Sequence, residues 1–148
     1  CFQCHTDKKA QFRLPHSHPV LSGKMSCSDC HDPHKGSAIK GGGTQLHGRN
    51  ETCAQCHRAQ SGPFVFAHDA VKEGCTVCHD PHGSLNQKML TQRNATLCLK
   101  CHSDLLTPSS PQMGPSGAHG GRFAQGTCWS AGCHEAIHGS QVNSSLRY

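Results

Sequence analysis

Large apolar side chains are scarce in this sequence. Val, Ile, Leu and Phe fill 22 of 148 positions, about 15%, and there is one Trp and one Tyr. A chain this poor in apolar residues falls short of an ordinary side-chain core, and composition alone would suggest disorder. No run of 18 apolar residues occurs, so no membrane-spanning helix is expected. No signal peptide precedes Cys1, so the chain is expected to be mature, processed or truncated. The interleaved basic and aromatic residues of a nucleic-acid surface are also lacking, so no nucleic-acid partner is expected despite a formal charge of +5. Something other than side chains has to fill the interior.

The chain has instead 12 cysteines and 14 histidines, among 16 glycines and 8 prolines. Spacing decides whether such a set is a disulfide framework, a metal array or a cofactor attachment. Five copies of Cys-x-x-Cys-His occur: Cys1-Cys4-His5, Cys27-Cys30-His31, Cys53-Cys56-His57, Cys75-Cys78-His79 and Cys98-Cys101-His102. The last two cysteines form a longer variant, Cys128-Trp129-Ser130-Ala131-Gly132-Cys133-His134. Every cysteine is used, and histidine follows all six second cysteines, which at this histidine content has a chance of about one in a million.

That spacing suits covalent attachment of haem c. Two thiols add to the two vinyl groups of one porphyrin, and the adjoining histidine is swung under the ring as the first axial ligand of the iron. Zinc knuckles and redox disulfides also use Cys-x-x-Cys pairs, but neither needs a histidine after every second cysteine. The sequence therefore predicts six covalently bound haem c groups, with His5, His31, His57, His79, His102 and His134 as proximal ligands. With their propionates and ferric cores counted, the charge falls to about −1, so the bare value of +5 says little about partners.

Eight histidines lie outside the motifs: His16, His18, His34, His47, His68, His82, His119 and His138. Six irons need six distal ligands if each is bound by two histidines, and an internal repeat nominates them. The first unit has His5, His18, Gly23, His31 and His34; the second His57, His68, Gly74, His79 and His82; the third His102, His119, Gly126, His134 and His138. The distal set is then His18, His34, His68, His82, His119 and His138. His16 fits a surface loop, while His47 could replace one nominee. In Cys30-His31-Asp32-Pro33-His34 and Cys78-His79-Asp80-Pro81-His82, the two histidines are separated by a reach of at most about 10 Å, and a proline fixes the turn. His34 and His82 are therefore expected to ligate a neighbouring haem, which makes metal binding and folding one process.

The expected fold class is mostly irregular with a few short α-helices. It is a haem-cored single domain over 1–148, built from three tandem dihaem repeats (about 1–50, 51–95 and 96–148) in a linear haem chain. Attachment motifs are expected on short helical turns, extended around Thr52 to Ala59 and Ala95 to Leu106. Elsewhere Gly and Pro punctuate too often for long helices or a sheet. Lys35 to Gly43 and Thr107 to Gly121 have loop compositions, and an iron is expected to pin His119 near the end of the second. Sequons at Asn50, Asn94 and Asn143 are short and common, and are read as coincidental. Phe2 and Tyr148 are too isolated to interpret.

The pattern Cys-His-Asp-Pro-His-Gly-Ser (Cys78 to Ser84), the motif Leu97-Cys98-Leu99-Lys100-Cys101-His102 and the ending Cys128 to Tyr148 resemble the paired-motif multihaem cytochromes. These include the decahaem conduits of porin-cytochrome complexes and the pentahaem donors to nitrite reductase, and the likeness spans nearly the whole chain. The resemblance implies closely spaced bis-histidine haems of low potential and an exported location, periplasmic, outer-membrane-associated or extracellular. It also implies a role in anaerobic or extracellular respiration. Expected partners are other redox proteins or cytochromes, or copies of the chain stacked end to end in a filament. Six haems are fewer than ten and more than five, so a fragment of a longer cytochrome is also an expectation. The leading expectation for function is electron transfer without catalysis. The alternative is a multihaem reductase keeping one open-site haem, against which stand eight spare histidines for six irons and the lack of a Lys-containing attachment motif.

Overall fold

The computed structural model describes residues 1–36, 49–106, 127–130 and 132–148. His47, His119 and Gly126 lie outside the described residues, as do Thr107 to Gly121 and all but the first two residues of Lys35 to Gly43.

Short helices punctuate the described chain: α1 (Thr6–Gln11), α2 (Arg49–Ala54), α3 (Asp69–Glu73) and α4 (Asn94–Leu99). Tighter 3-10 turns lie at Cys27–Asp29, Arg58–Gln60, Cys75–Val77, Gln87–Met89 and Ser103–Leu106. Strands β1 (Phe66–Ala67) and β2 (Gly139–Ser140) pair antiparallel, Phe66 opposite Ser140 and Ala67 opposite Gly139. This matches the expectation of a mostly irregular chain with a few short helices. The two helical stretches expected beyond the motifs are interrupted, however: α2 ends at Ala54 before the turn at Arg58, and α4 ends at Leu99 before the turn at Ser103. The reason is local. At His57 the backbone leaves the helical region (φ −97°, ψ 53°), and His5 does the same ahead of α1 (φ −99°, ψ 61°). A helix can restart after the motif histidine but does not run through it.

Helices of six residues or fewer are not stable alone in water. Side chains do little to hold them here. Among the described residues the buried apolar side chains are Phe12 and Ala136, and none is below 2% exposure, while Leu21, Val65, Leu85, Val142 and Tyr148 lie open. Among the same residues no helix is long and apolar enough to cross a membrane.

The chain forms two compact units. The first, Cys1–Pro63 with His68–Thr91, is laced by hydrogen bonds rather than packed. Asn50 of α2 donates from Nδ2 to the Val71 carbonyl at 2.7 Å, and its Oδ1 accepts from the Cys75 main-chain N–H at 2.9 Å. His16 and Ser84 exchange main-chain bonds in both directions, at 3.2 and 2.8 Å. In the second unit, Phe64–Ala67 with Gln92–Tyr148, the β1–β2 pair brings Gly139 against the Phe64 ring. At φ +154° and with Phe64 Cγ 2.4 Å from where a Cβ would stand, only glycine fits at 139.

Candidate functional site

Each attachment motif closes on itself through the same main-chain bond. The histidine N–H donates to the carbonyl of the first cysteine at 2.8 Å for His5 to Cys1, and at 2.9 Å for His31 to Cys27, His57 to Cys53 and His102 to Cys98. His79 to Cys75 measures 3.0 Å, and the longer motif keeps His134 to Cys128 at 2.9 Å. Its extra residues are taken up by a turn in which the Thr127 N–H donates to Ser130 Oγ and that hydroxyl donates to the Thr127 carbonyl, both at 3.0 Å. Gly132, at φ +74°, then reverses the chain and donates to Glu135 at 2.9 Å.

The twelve cysteines form no disulfide in this structure, and each pair would hold a porphyrin through two thioether bonds. Cys1, Cys4, Cys56 and Cys101 are exposed and the other eight half-buried, so all can be reached. Burial and then the neighbouring Cys75 push the Cys53 thiol up to about 11. Burial, then Asp29 and then Cys56 raise that of Cys30. The sulphurs of the Cys53 motif thus lie within electrostatic reach of Cys30 on one side and of Cys75 on the other. No group of three or more Cys, His, Asp or Glu side chains converges on one point among the described residues.

Several histidines are fixed by their Nδ1 atoms. His79 donates from Nδ1 to the Lys88 carbonyl at 2.8 Å, His18 to the Pro81 carbonyl at 2.8 Å, and His134 to the Ser145 carbonyl. A carbonyl can only accept, so Nδ1 carries a proton, which leaves Nε2 as the nitrogen through which the neutral ring would bind a metal. This donor chemistry, the paired sulphurs and the missing side-chain core together fit a covalently held haem.

The rings of His18 and His57 have centroids 6.1 Å apart, and those of His31 and His82 lie 6.0 Å apart with planes 20° from parallel. Each pair joins a motif histidine to a nominated distal one. Phe12, buried at the end of α1, packs edge-on against His82 at 5.5 Å, and Phe2 in turn touches Phe12 at 6.0 Å. Burial and then the Lys8 ammonium hold the His82 imidazole below the ordinary histidine range, favouring the neutral form that ligates. Of the other nominees, His34 is exposed at the end of an Asx turn in which its N–H bonds Asp32 at 3.0 Å. His68 opens α3, and His138 directly precedes β2.

From sequence alone no structural role is assigned to Phe12, Asn50, Ser84 or Ser140, although Asn50 stands in a sequon and both serines in the stretches that carry the resemblance. A signal for the serines existed in the two His-Gly-Ser triplets. Ser84 Oγ donates to the Leu90 carbonyl and Ser140 Oγ to the Arg147 carbonyl, both at 2.6 Å, and each serine is buried. In both places the loop after the serine returns its backbone to the motif: Asp80 N–H meets the Met89 carbonyl at 2.8 Å and Ala136 N–H meets that of Leu146 at 3.0 Å. No local pattern announces Phe12 or Asn50, whose partners are distant in sequence.

The sequence profile of the family described as "Doubled CXXCH motif" matches residues 18–62 and 68–107. The chain is also 37% identical over 143 residues to the protein named Multiheme cytochrome MtrA of Shewanella baltica (strain OS185). That match covers 95% of this chain and 42% of the relative, so the chain spans less than half of the relative's length.

Proposed function

The chain belongs to the doubled CXXCH family of multihaem c-type cytochromes, and from that premise we propose that it carries electrons through a linear chain of six bis-histidine c-type haems. When bound, each haem supplies a one-electron iron couple whose potential is set by axial ligands and burial. The observation that carries the reading is that a motif histidine faces a nominated distal one twice over, His57 with His18 and His31 with His82, at 6.1 and 6.0 Å. Two imidazole nitrogens each about 2 Å from a shared metal, with half a ring beyond each, span about 6 Å between ring centroids.

On this reading Cys53 and Cys56 hold the haem that His57 and His18 ligate, and Cys27 and Cys30 the one that His31 and His82 ligate. His82 then serves a neighbour of its own motif, as its short tether to His79 requires. His5, His79, His102 and His134 are the remaining proximal ligands, with His34, His68, His119 and His138 their distal partners. An iron with histidine on both faces offers a substrate no open position, which favours a carrier over a reductase. The reach from Cys53 to Cys30 and to Cys75 supports neighbouring haems at the Cys27, Cys53 and Cys75 motifs. The setting we propose is anaerobic or extracellular respiration, with the chain exported to the periplasm, outer membrane or cell exterior. Its partners there are other cytochromes or copies of itself. The likeness to a multihaem cytochrome supports that setting.

A pyridine haemochrome assay combined with intact mass tests the count. Six haems are expected, and two or fewer would defeat the reading. Magnetic circular dichroism should show low-spin iron throughout, unmoved by cyanide; a high-spin fraction that binds cyanide would point to the reductase instead.

A further inference from the structure

We infer that the segment Asp80-Pro81-His82 serves two of these sites at once, as a shared strap coupling the site of Cys27 and Cys30 to that of Cys53 and Cys56. The inference rests on the ligand pairing proposed above.

The peptide group between Pro81 and His82 is bonded at both ends. Its carbonyl, that of Pro81, accepts from His18 Nδ1 at 2.8 Å, and its N–H, that of His82, donates to Asp80 Oδ1 at 3.1 Å. The Asp80 carboxylate is 3.9 Å from the His82 ring, too far for a hydrogen bond, so it holds the main chain rather than the imidazole. A peptide group is planar, so carbonyl and N–H turn together. A rotation of this plane would therefore displace His82 relative to His31 and at the same time swing the acceptor that aims His18 at His57.

The surroundings leave that plane little freedom. Proline fixes φ at residue 81. Asp80 N–H is tied to the Met89 carbonyl at 2.8 Å, and Ser84 is tied in both directions to His16, two residues before His18. Gly83, at φ +152°, packs so closely on α1 that a Cβ would stand 2.2 Å from the Gln11 carbonyl oxygen. Residues 80–84 and 16–18 are therefore laced at two points, one of which orients a ligand. Asp80 and Pro81 are positioning residues for His18 as well as for His82.

The test uses the full haem-loaded chain. Haem methyl resonances in paramagnetic NMR are assigned with two reference chains, one with Cys27→Ala and Cys30→Ala and the other with Cys53→Ala and Cys56→Ala, each lacking one haem. In His82→Met the Cys27 site should change to a His/Met signature, and the Cys53 site should stay bis-histidine while its methyl resonances move. Pro81→Ala keeps every ligand and frees the plane, so it should shift both sets together even if His82→Met folds poorly. A change at the Cys27 site alone in both variants overturns the strap and leaves the pairing standing. An unaltered Cys27 site in His82→Met overturns the pairing, and the strap with it.

Discussion

The His134 N–H meets the Cys128 carbonyl at 2.9 Å, the distance His57 keeps to Cys53, although two more residues separate the first pair. The attachment turn is thus defined by how it closes and not by its length. In the longer motif Gly132 makes this possible by adopting φ +74°, where a Cβ would meet nothing within 4 Å.

Gly132→Ala should therefore pay only the left-handed backbone penalty, about 1 kcal/mol. Chemical denaturation would read that loss, and intact mass should still report the full haem count. A missing haem would show that Gly132 does more than turn the chain.

Gly83→Ala is expected to be far worse. Its Cβ would lie 2.2 Å from the main-chain oxygen of Gln11, a backbone atom that cannot rotate away as the end of a side chain could. A loss of about 3 kcal/mol or more is expected, with loss of low-spin character beginning at the site proposed for His82. Thermal melts beside Gly132→Ala would separate steric conflict from simple backbone strain.

Asn50→Leu removes two hydrogen bonds that clasp α2 to the Val71 carbonyl and to Cys75. The expected loss is about 1–3 kcal/mol, because the Cys75 N–H and Val71 carbonyl lose their partner. Peptide mapping should find incomplete haem attachment first at Cys75 and Cys78. Native mass should also show no glycan on Asn50, whose amide is already engaged.

Lys88→Pro should release His79. Lys88 sits at φ +55°, which proline cannot adopt, and its carbonyl holds His79 Nδ1. A ligand deprived of that acceptor is a poorer donor to ferric iron, so the potential at the Cys75 site should rise. The expected shift is about 40 mV, the one-electron equivalent of about 1 kcal/mol, and spectropotentiometry would measure it. Lys88→Gly tolerates the same φ and should leave the potential unchanged.

What could be read in the sequence was whatever is local. The six motifs, the turns that close them and the shortness of the helices follow from residues within a few positions of each other. The matching of His82 to His31 and of His18 to His57 does not, because each joins segments brought together only by the fold. Phe12 is one of five phenylalanines in a chain with no periodic apolar pattern, so nothing marked it as the ring that lies on His82. The composition around His57 and His102 favours longer helices than form, and at His57 it is the residue's own φ −97° and ψ 53° that take the backbone out of the helical region.

The scarcity of buried apolar side chains among the described residues has a calorimetric corollary. The heat capacity increment of unfolding tracks apolar surface newly hydrated, and beyond Phe12 and Ala136 the described polypeptide has little to contribute. Porphyrin faces tethered by thioethers stay with the unravelled chain and become wetted in its place. The increment per residue would then scale with pigment load, and a variant lacking one attachment site would have a flatter stability curve in proportion.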